Sequence, residues 1–241
     1  MTTSITPPAH LVQVYELLLA TYGEPQNEPD YDPVGGLVGT ILSQHTSDIN
    51  SERAYRQLIT AFPTWEQVRD APTNEVANAI RCGGLANIKA PRIQDALHTL
   101  TEWQQEHKDT QPLSVYLAGE LTRRTPEEAW HYLRSIPGVG PKTAACVLMF
   151  NMNLPVIPVD THVHRTSQRL GLIGPKVSAD KAHDIYLKIV PPEWVYPLHV
   201  NLIRHGREIC HAQRPECRQC ALYLECAYAR SVGPLEISKA P

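Results

Sequence analysis

The chain has 241 residues, of which 42% are hydrophobic and 20% are charged, a composition typical of a globular protein and not of a disordered one. A chain of this length can bury one sizeable core or two small ones. No apolar run approaches the ~20 residues of a membrane span, and the start, MTTSITPPAHL, lacks the apolar core of a signal peptide. We therefore expect a cytoplasmic protein with no membrane partner.

Charge is distributed unevenly along the chain. The net charge of −3 disfavours a nucleic-acid partner, because phosphate binding usually requires a basic surface. Residues 160–241, however, hold 11 Lys and Arg against 8 Asp and Glu, whereas residues 1–159 hold 11 against 17. A modest basic surplus therefore lies in the last third of the chain.

Apolar residues recur every three to four positions and strand-like alternation is scarce, so we predict an all-α fold. Thr64 and Thr73 are typical helix caps, as is Ser47 or Thr46 before the third helix. The tail from Gly233 contains proline and is predicted to be loose. The predicted helices are 10–22, 35–44, a helix ending at 62, short helices from 64 and from 73, 87–106, 113–121, 125–136, a helix from 141 to about 150, 161–170, 179–190 and 195–209.

Residues 125–150 predict two helices joined by a tight turn. Thr125, Pro126 and Glu128 have the pattern of an N-cap, a first helical residue and a capping-box carboxylate. The segment 137–140, Pro-Gly-Val-Gly, cannot continue a helix, and Pro141 suits the start of a second one. Its predicted packing residues are Ala144, Ala145, Val147, Leu148 and Phe150. Backbone N–H groups at the start of this second helix form a typical anion site, which suits a nucleic-acid phosphate.

Lys142 lies in the first turn of that second helix. The positive end of the helix dipole, together with partial burial, would favour the neutral amine, which can attack a carbon. The alternative is a surface lysine that contacts a phosphate. Asp160, further along, fits the N-cap of the helix that starts at Thr161.

Four of the six cysteines, Cys210, Cys217, Cys220 and Cys226, have the spacing C-x6-C-x2-C-x5-C. Thiolates this close in sequence can converge on one inorganic centre, and sulfur ligands select zinc or an iron–sulfur cluster. Two disulfides are the alternative, but thiols stay reduced in the cytoplasm. Zinc sites more often use two separated pairs or histidines. The two remaining cysteines, Cys82 and Cys146, stand on apolar segments and are predicted to be core residues.

The hairpin SIPGVGPKTAACVL, followed by the segment 156–162, VIPVDTH, resembles the helix-hairpin-helix motif and catalytic-aspartate loop of the endonuclease III family of DNA glycosylases. The lysine, the aspartate and the interval between them all agree with that family. By resemblance, Lys142 forms a Schiff base with C1′ of the deoxyribose and Asp160 assists departure of the base. The cysteine spacing resembles the family's 4Fe-4S loop, which assigns Cys210, Cys217, Cys220 and Cys226 as ligands of a 4Fe-4S cluster.

Two loops resemble the segments with which the family fills the gap left by an extruded base. They are residues 41–48, ILSQHTSD, and residues 84–90, GLANIKA. Leu85 matches the apolar wedge, and His45 stands where the family more often has glutamine, which leaves the opposite-base preference open. Taken alone, Leu85 would be read as a buried leucine and His45 as a polar helix end. The other predicted DNA contacts are Gly138, Val139, Gly140, Thr143, His162, Arg214 and Arg218; the two arginines and His211 could instead form a solvated basic face.

The resemblance implies two helical lobes, 26–153 and 1–25 with 154–241, and a DNA cleft between them. It implies a monomeric, nucleoid-associated enzyme that acts on double-stranded DNA with a damaged base or an abasic site. The predicted function is a bifunctional DNA glycosylase and abasic-site lyase that excises oxidised pyrimidines. A monofunctional adenine or mismatch glycosylase is the alternative, although such relatives generally lack a lysine at the position of Lys142. A non-catalytic DNA-binding iron–sulfur module is the third possibility.

Overall fold

A computed structural model describes residues 5–231, and the tail that begins at Gly233 lies outside this range. The described residues form helices and turns and no strand, which confirms the all-α prediction. None of these helices is both long enough and apolar enough to cross a membrane. The helices are α1 Ala9–Tyr22, α2 Pro33–Ser43, α3 Asp48–Ala61, α4 Trp65–Asp70, α5 Thr73–Ala79, α6 Ala86–Glu106, α7 Leu113–Thr122, α8 Pro126–Arg134, α9 Pro141–Cys146, α10 Thr161–Leu170, α11 Ala179–Ile189, α12 Val195–Glu208 and α13 Ala227–Ser231.

The contacts divide the chain into two compact units. Residues 28–154 form one, which we call the hairpin unit. The other, the cysteine unit, combines the described residues before 28 with those after 154. Short 3-10 turns occur at Arg81–Gly83 in the hairpin unit and at Pro192–Trp194 and Cys217–Gln219 in the cysteine unit.

Helix α2 lies at the core of the hairpin unit and packs against α3, α6, α7 and α9. Its apolar residues Val34, Leu37, Val38, Ile41 and Leu42 are all buried, so this helix forms part of the core. Small residues let neighbours approach closely: a Cβ on Gly36 would stand 2.0 Å from the side-chain oxygen of Asn151. The helix is therefore held between elements that come from both ends of the unit.

In the cysteine unit, α12 packs against α1 and α10. Helix α1 buries Leu11, Val14, Tyr15 and Leu18, and the ring of Tyr15 stacks on that of Trp194 with centroids 4.1 Å apart. Gly206 of α12 lies directly against α10, because a Cβ there would meet Thr166 Oγ1 at 3.0 Å and His162 Cβ at 3.1 Å. Helices α10 and α12 are thus fixed against each other at a position where a larger residue would not fit.

Three local predictions are wrong. Thr73 does not cap α5, because the N-cap is Pro72 and the Thr73 hydroxyl donates to Gln94 Oε1 at 2.7 Å. Phe150 is 37% exposed, since the helix widens into a π turn at Val147–Asn151 and this changes which side chains face the core. Cys82 is half-buried and its thiol donates to Gln57 Oε1 at 3.0 Å, whereas Cys146 is buried as predicted.

Candidate functional site

The predicted hairpin is present. Helix α8 begins with a complete capping box, in which Thr125 and Glu128 each accept a hydrogen bond from the other's backbone N–H. Gly138 has φ +81°, a left-handed backbone that favours glycine, and Gly140 is the N-cap of α9. A Cβ on Gly138 or Gly140 would meet nothing within 4 Å. The turn is therefore open on its outer side.

Lys142 is exposed in the first turn of α9, whereas Thr143 and Val139 are buried. The helical ladder starts with Ala144, whose N–H donates to Gly140 O at 3.0 Å, so the N–H groups of Lys142 and Thr143 precede it. No side chain caps this helix. The side chain of Lys142 is exposed. The hairpin unit therefore does not supply the partial burial that the sequence analysis considered for this lysine.

Trp130 of α8 connects the two hairpin helices. Its ring is buried, and its Nε1–H donates to Pro141 O at 3.0 Å, at the first residue of α9. The guanidinium of Arg134 lies over the same ring, 4.3 Å from its centroid. The start of α9, and with it Lys142, is therefore held against α8 by a side chain that the sequence reading did not single out.

Asp160 is the N-cap of α10, as predicted. Its Oδ1 accepts a hydrogen bond from Val163 N–H at 2.7 Å, and its backbone carbonyl accepts one from His164 N–H at 2.8 Å. The residue is half-exposed, and no ion pair in the described part of the chain involves it. One carboxylate oxygen is thus fixed by the helix, which orients the other.

Two buried histidines hold the segment that leads into Asp160, and sequence reasoning missed both. His183 Nε2 accepts from Val159 N–H at 3.2 Å while its Nδ1 faces Ala179 O at 2.9 Å, so the ring is neutral with the proton on Nδ1. His199 Nδ1 donates to Pro158 O at 2.9 Å. The signal was available, because both histidines fall on the apolar stripes of their helices.

The four predicted ligand cysteines are free thiols in the structure, with no disulfide among them. Burial raises the pKa of Cys220 to about 11 and also raises the pKa of Cys217, and in both cases the neighbouring cysteine sulfurs raise it further. The sulfurs of Cys210, Cys217 and Cys226 therefore all lie close enough to Cys220 to affect its pKa. Among the described residues, no group of three or more His, Cys, Asp or Glu side chains is arranged to hold a single metal ion.

The chemistry of this donor set fits an iron–sulfur cluster. The four cysteines of a 4Fe-4S cluster each bind a different iron, so they surround a larger object than one ion does. Four neighbouring thiols with no carboxylate ligand are the donors that such a cluster uses.

Two arginines of helix α10 donate hydrogen bonds to the start of the cysteine segment, residues 210–226. Sequence reasoning also missed these two residues. Arg165 Nε donates to Cys210 O at 3.0 Å, and Arg169 donates to His211 O at 2.6 Å and to Ala212 O at 2.9 Å. Arg169 Nη1 also lies 3.3 Å from Cys210 Sγ. Their spacing of four residues, which puts both on one face of a helix, was the available signal.

The remaining predicted contacts of the cysteine unit differ in exposure. Arg214 and Arg218 are exposed, and Arg214 has a left-handed backbone with φ +51°. His162 is half-buried against Gly206, and its Nδ1 accepts from Arg165 Nη2 at 3.2 Å. Its Nε2 is therefore the nitrogen that remains for other contacts.

The two predicted wedge residues, His45 and Leu85, share an unusual backbone. His45 follows the end of α2 with φ +54°, and Leu85 precedes α6 with φ +52°. A left-handed backbone is uncommon for residues other than glycine, and such strain concentrates at functional sites. Both side chains are exposed, Leu85 by 49%, so the alternative of a buried leucine is wrong.

The predicted site residues are divided between the two units. The hairpin unit carries Lys142, Thr143, the turn 138–140, His45 and Leu85. The cysteine unit carries Asp160, His162, Arg214, Arg218 and the four cysteines. Each unit therefore presents its own part of the predicted site.

Comparison with known proteins places the chain in a family. Residues 38–192 match the model of the HhH-GPD superfamily base excision DNA repair proteins. Endonuclease III of Thermotoga maritima is 30% identical over 213 residues, which cover 88% of this chain and 91% of the relative. A putative DNA glycosylase of Arabidopsis thaliana is 38% identical over 188 residues, 78% of this chain, and the match covers 61% of that longer relative.

Solved structures give the same family. An endonuclease III trapped as a covalent intermediate with DNA, in an estranged-adenine complex, superposes with a TM-score of 0.72 at 27% identity. The match covers 92% of this chain and 96% of that one. The hairpin and the capped aspartate both lie within the matched residues 38–192, and the chain belongs to the endonuclease III family of HhH-GPD base excision DNA repair enzymes.

Proposed function

We propose that this endonuclease III-like DNA glycosylase is bifunctional: it excises oxidised pyrimidines from double-stranded DNA and then cleaves the strand as an abasic-site lyase. The observation that supports this most directly is the position of Lys142, an exposed amine in the first turn after the open Gly-Val-Gly turn. We also propose that the enzyme is monomeric, cytoplasmic and nucleoid-associated. Its two lobes would comprise residues 26–153 and residues 1–25 plus 154–241.

Lys142 is the proposed nucleophile. Its neutral Nζ forms a bond to C1′ as the glycosidic bond breaks, and the base leaves with the bonding electrons and takes up a proton. Nitrogen then loses a proton and O4′ gains one as the C1′–O4′ bond breaks, which opens the sugar ring and leaves a protonated imine between Nζ and C1′. The imine acidifies C2′, whose proton is lost as the C3′–O bond breaks and the 3′ phosphate leaves.

Asp160 is the proposed electrostatic partner of this step. Its charge stabilises the positive charge that develops on the sugar as the base departs. The hydrogen bond from Val163 N–H to Oδ1 fixes the carboxylate before DNA arrives. This arrangement supports an orienting role for the cap as well as a structural one.

The remaining assignments concern binding. The N–H groups at the start of α9 and the turn residues Gly138, Val139, Gly140 and Thr143 would bind a phosphate. His45 and Leu85 would fill the space left by the extruded base, and His162, Arg214 and Arg218 would contact the DNA from the cysteine unit. Cys210, Cys217, Cys220 and Cys226 would hold a 4Fe-4S cluster, which when bound fastens the segment that presents the two arginines.

The test of the nucleophile is covalent trapping with borohydride, on duplexes that contain an abasic site or thymine glycol. Wild type and Lys176→Ala, a control at another exposed lysine, should both form the crosslink. Lys142→Ala should form none, and its stability should change by less than about 0.5 kcal/mol, because the side chain is exposed. A crosslink that persists in Lys142→Ala identifies another amine. No crosslink with folded wild type on either duplex contradicts the lyase.

The test of the cluster compares two cysteines. Protein purified without oxygen should contain about four iron atoms and an equal amount of sulfide. Cys220→Ser should lose both, whereas Cys82→Ser, which changes a thiol outside the cluster segment, should keep both. Zinc without sulfide in the wild type would show that the iron–sulfur assignment is wrong.

A further inference from the structure

A lysine outside the proposed chemistry is buried in the hairpin unit. Lys89 of α6 is only 1% exposed, and its Nζ donates to Leu42 O at 2.7 Å and to Gly83 O at 2.8 Å. Lysine is almost never fully buried unless it is paired. Burial lowers the pKa of this ammonium, so placing a lysine here carries a free-energy penalty that an apolar residue would avoid.

The two carbonyls lie at the wedge loops, the segments 41–48 and 84–90 that carry His45 and Leu85: Leu42 is in the first loop, and Gly83 directly precedes the second. Leu42 lies three residues before His45, and Gly83 lies two residues before Leu85. His45 and Leu85 are the exposed residues with a left-handed backbone described above. One ammonium therefore fixes the chain immediately upstream of both strained residues.

Other contacts also restrain the backbone beside each wedge loop. A Cβ on Gly83 would come within 2.9 Å of Ala54 Cβ, so the backbone at Gly83 lies directly against α3. On the first loop, Arg92 Nη1 of α6 faces Gln44 Oε1 at 3.5 Å. Lys89 is the buried member of this set, and it is the side chain that contacts both loops.

We propose that Lys89 is a positioning residue that holds the two wedge loops in a fixed mutual arrangement, so that His45 and Leu85 enter the DNA duplex together. This inference rests on the proposed function, because it assumes that the two side chains fill the space of an extruded base. Lys89 itself touches no substrate.

The test substitutes Lys89→Met, an unbranched side chain one atom shorter than lysine that removes the donors. The matched control is Gln94→Met on the same helix. Gln94 is also buried and donates to backbone carbonyls, Val68 O at 3.0 Å and Ala71 O at 2.7 Å, but these carbonyls lie within and at the end of α4, away from the wedge residues in the sequence. Both variants should lose stability, which urea unfolding measures.

Binding to DNA should separate the two variants. The probe is a duplex with a tetrahydrofuran abasic analogue opposite 2-aminopurine, whose fluorescence reports unstacking. Lys89→Met should bind about tenfold more weakly and unstack less of the probe base, whereas Gln94→Met should bind within about twofold of wild type. If Lys89→Met does not fold, Gly83→Ala displaces the same loop from α3 with Lys89 intact and should weaken binding similarly.

A double-mutant cycle with Leu85→Ala tests whether Lys89 acts through the wedge. Once the wedge is removed, Lys89→Met should weaken binding much less than it does in wild type. Additive losses, or a Lys89→Met variant that binds like Gln94→Met, overturn this inference while leaving the proposed function intact. A folded wild type that binds the abasic duplex no better than undamaged DNA overturns the proposed function and this inference together.

Discussion

Helices α9 and α10 each begin beside one of the two proposed catalytic residues, and they begin in opposite ways. The N-terminus of α9 has a glycine N-cap and no side-chain cap, and the lysine beside it is exposed. The N-terminus of α10 is closed by Asp160, whose carboxylate accepts from Val163 N–H at 2.7 Å. Both ends carry the positive end of a helix dipole. At the start of α9 the positive end of the dipole is available to an external anion. At the start of α10 it stabilises the carboxylate of Asp160, which belongs to the chain itself.

The largest expected effect comes from separating the two roles of the α10 cap. Asparagine caps a helix as well as aspartate does, so Asp160→Asn should keep the stability of the wild type and lower the single-turnover excision rate about 100-fold or more. Asp160→Ala should lose the same activity and also about 1 kcal/mol of stability. Urea unfolding and excision assays check both. If Asp160→Asn kept the wild-type excision rate, Asp160 would act only as a helix cap.

A smaller effect is expected at the uncapped start of α9. Gly140 has an ordinary φ of −84° and open space around it, so Gly140→Ala should fold normally. The added methyl group would hinder a phosphate, and binding to a duplex with an abasic site should therefore weaken about tenfold. Gly138→Ala should also lose about 1 kcal/mol or more of stability, since its φ is +81°. Fluorescence anisotropy and thermal unfolding separate the two. Unchanged binding by Gly140→Ala would argue against close approach of DNA at this turn.

The smallest effect concerns α8, which has a side-chain cap like α10. Hydrogen bonds from the backbone N–H and then the hydroxyl of Thr125 lower the pKa of Glu128 below its ordinary value of 4.5. A folded-state pKa below the unfolded one means that this stabilisation is complete above pH 4.5 and is lost as the pH falls through the folded-state value. Glu128→Gln keeps an acceptor and removes the titration. The difference in unfolding free energy between wild type and Glu128→Gln should therefore shrink in acid; a constant difference would contradict this.

Local signals predicted local structure well. The Thr64 and Thr125 caps form complete capping boxes, and Asp160 caps its helix, because in each case the donor lies three residues away in the chain. Thr73, a cap candidate that is followed three residues later by Val76 and not by Glu or Gln, hydrogen-bonds instead to Gln94, 21 residues away. A long-range partner therefore overrode a local preference, and no local pattern could have shown it.

Two features that the sequence could not have shown, the burial of Lys89 and the exposure of Phe150, depend on the folded structure. Lys89 is buried only because carbonyls from two distant loops converge on it, and lysine is ordinarily a surface residue. Phe150 faces outward because of the π turn, which has no clear sequence signature. The four cysteines could be predicted as ligands of one centre because their spacing within one segment already restricts what they can bind.

Helix α10 carries Asp160 at its start and, five and nine residues later, the arginines that hold the cysteine segment. Each residue of an α-helix turns the chain by about 100°. Deleting or inserting a single residue between Asp160 and Arg165 would therefore rotate both arginines about the helix axis relative to Asp160, even if every side chain were retained. The number of residues between the aspartate and the arginines is thus itself part of the arrangement that links the cap to the cysteine segment.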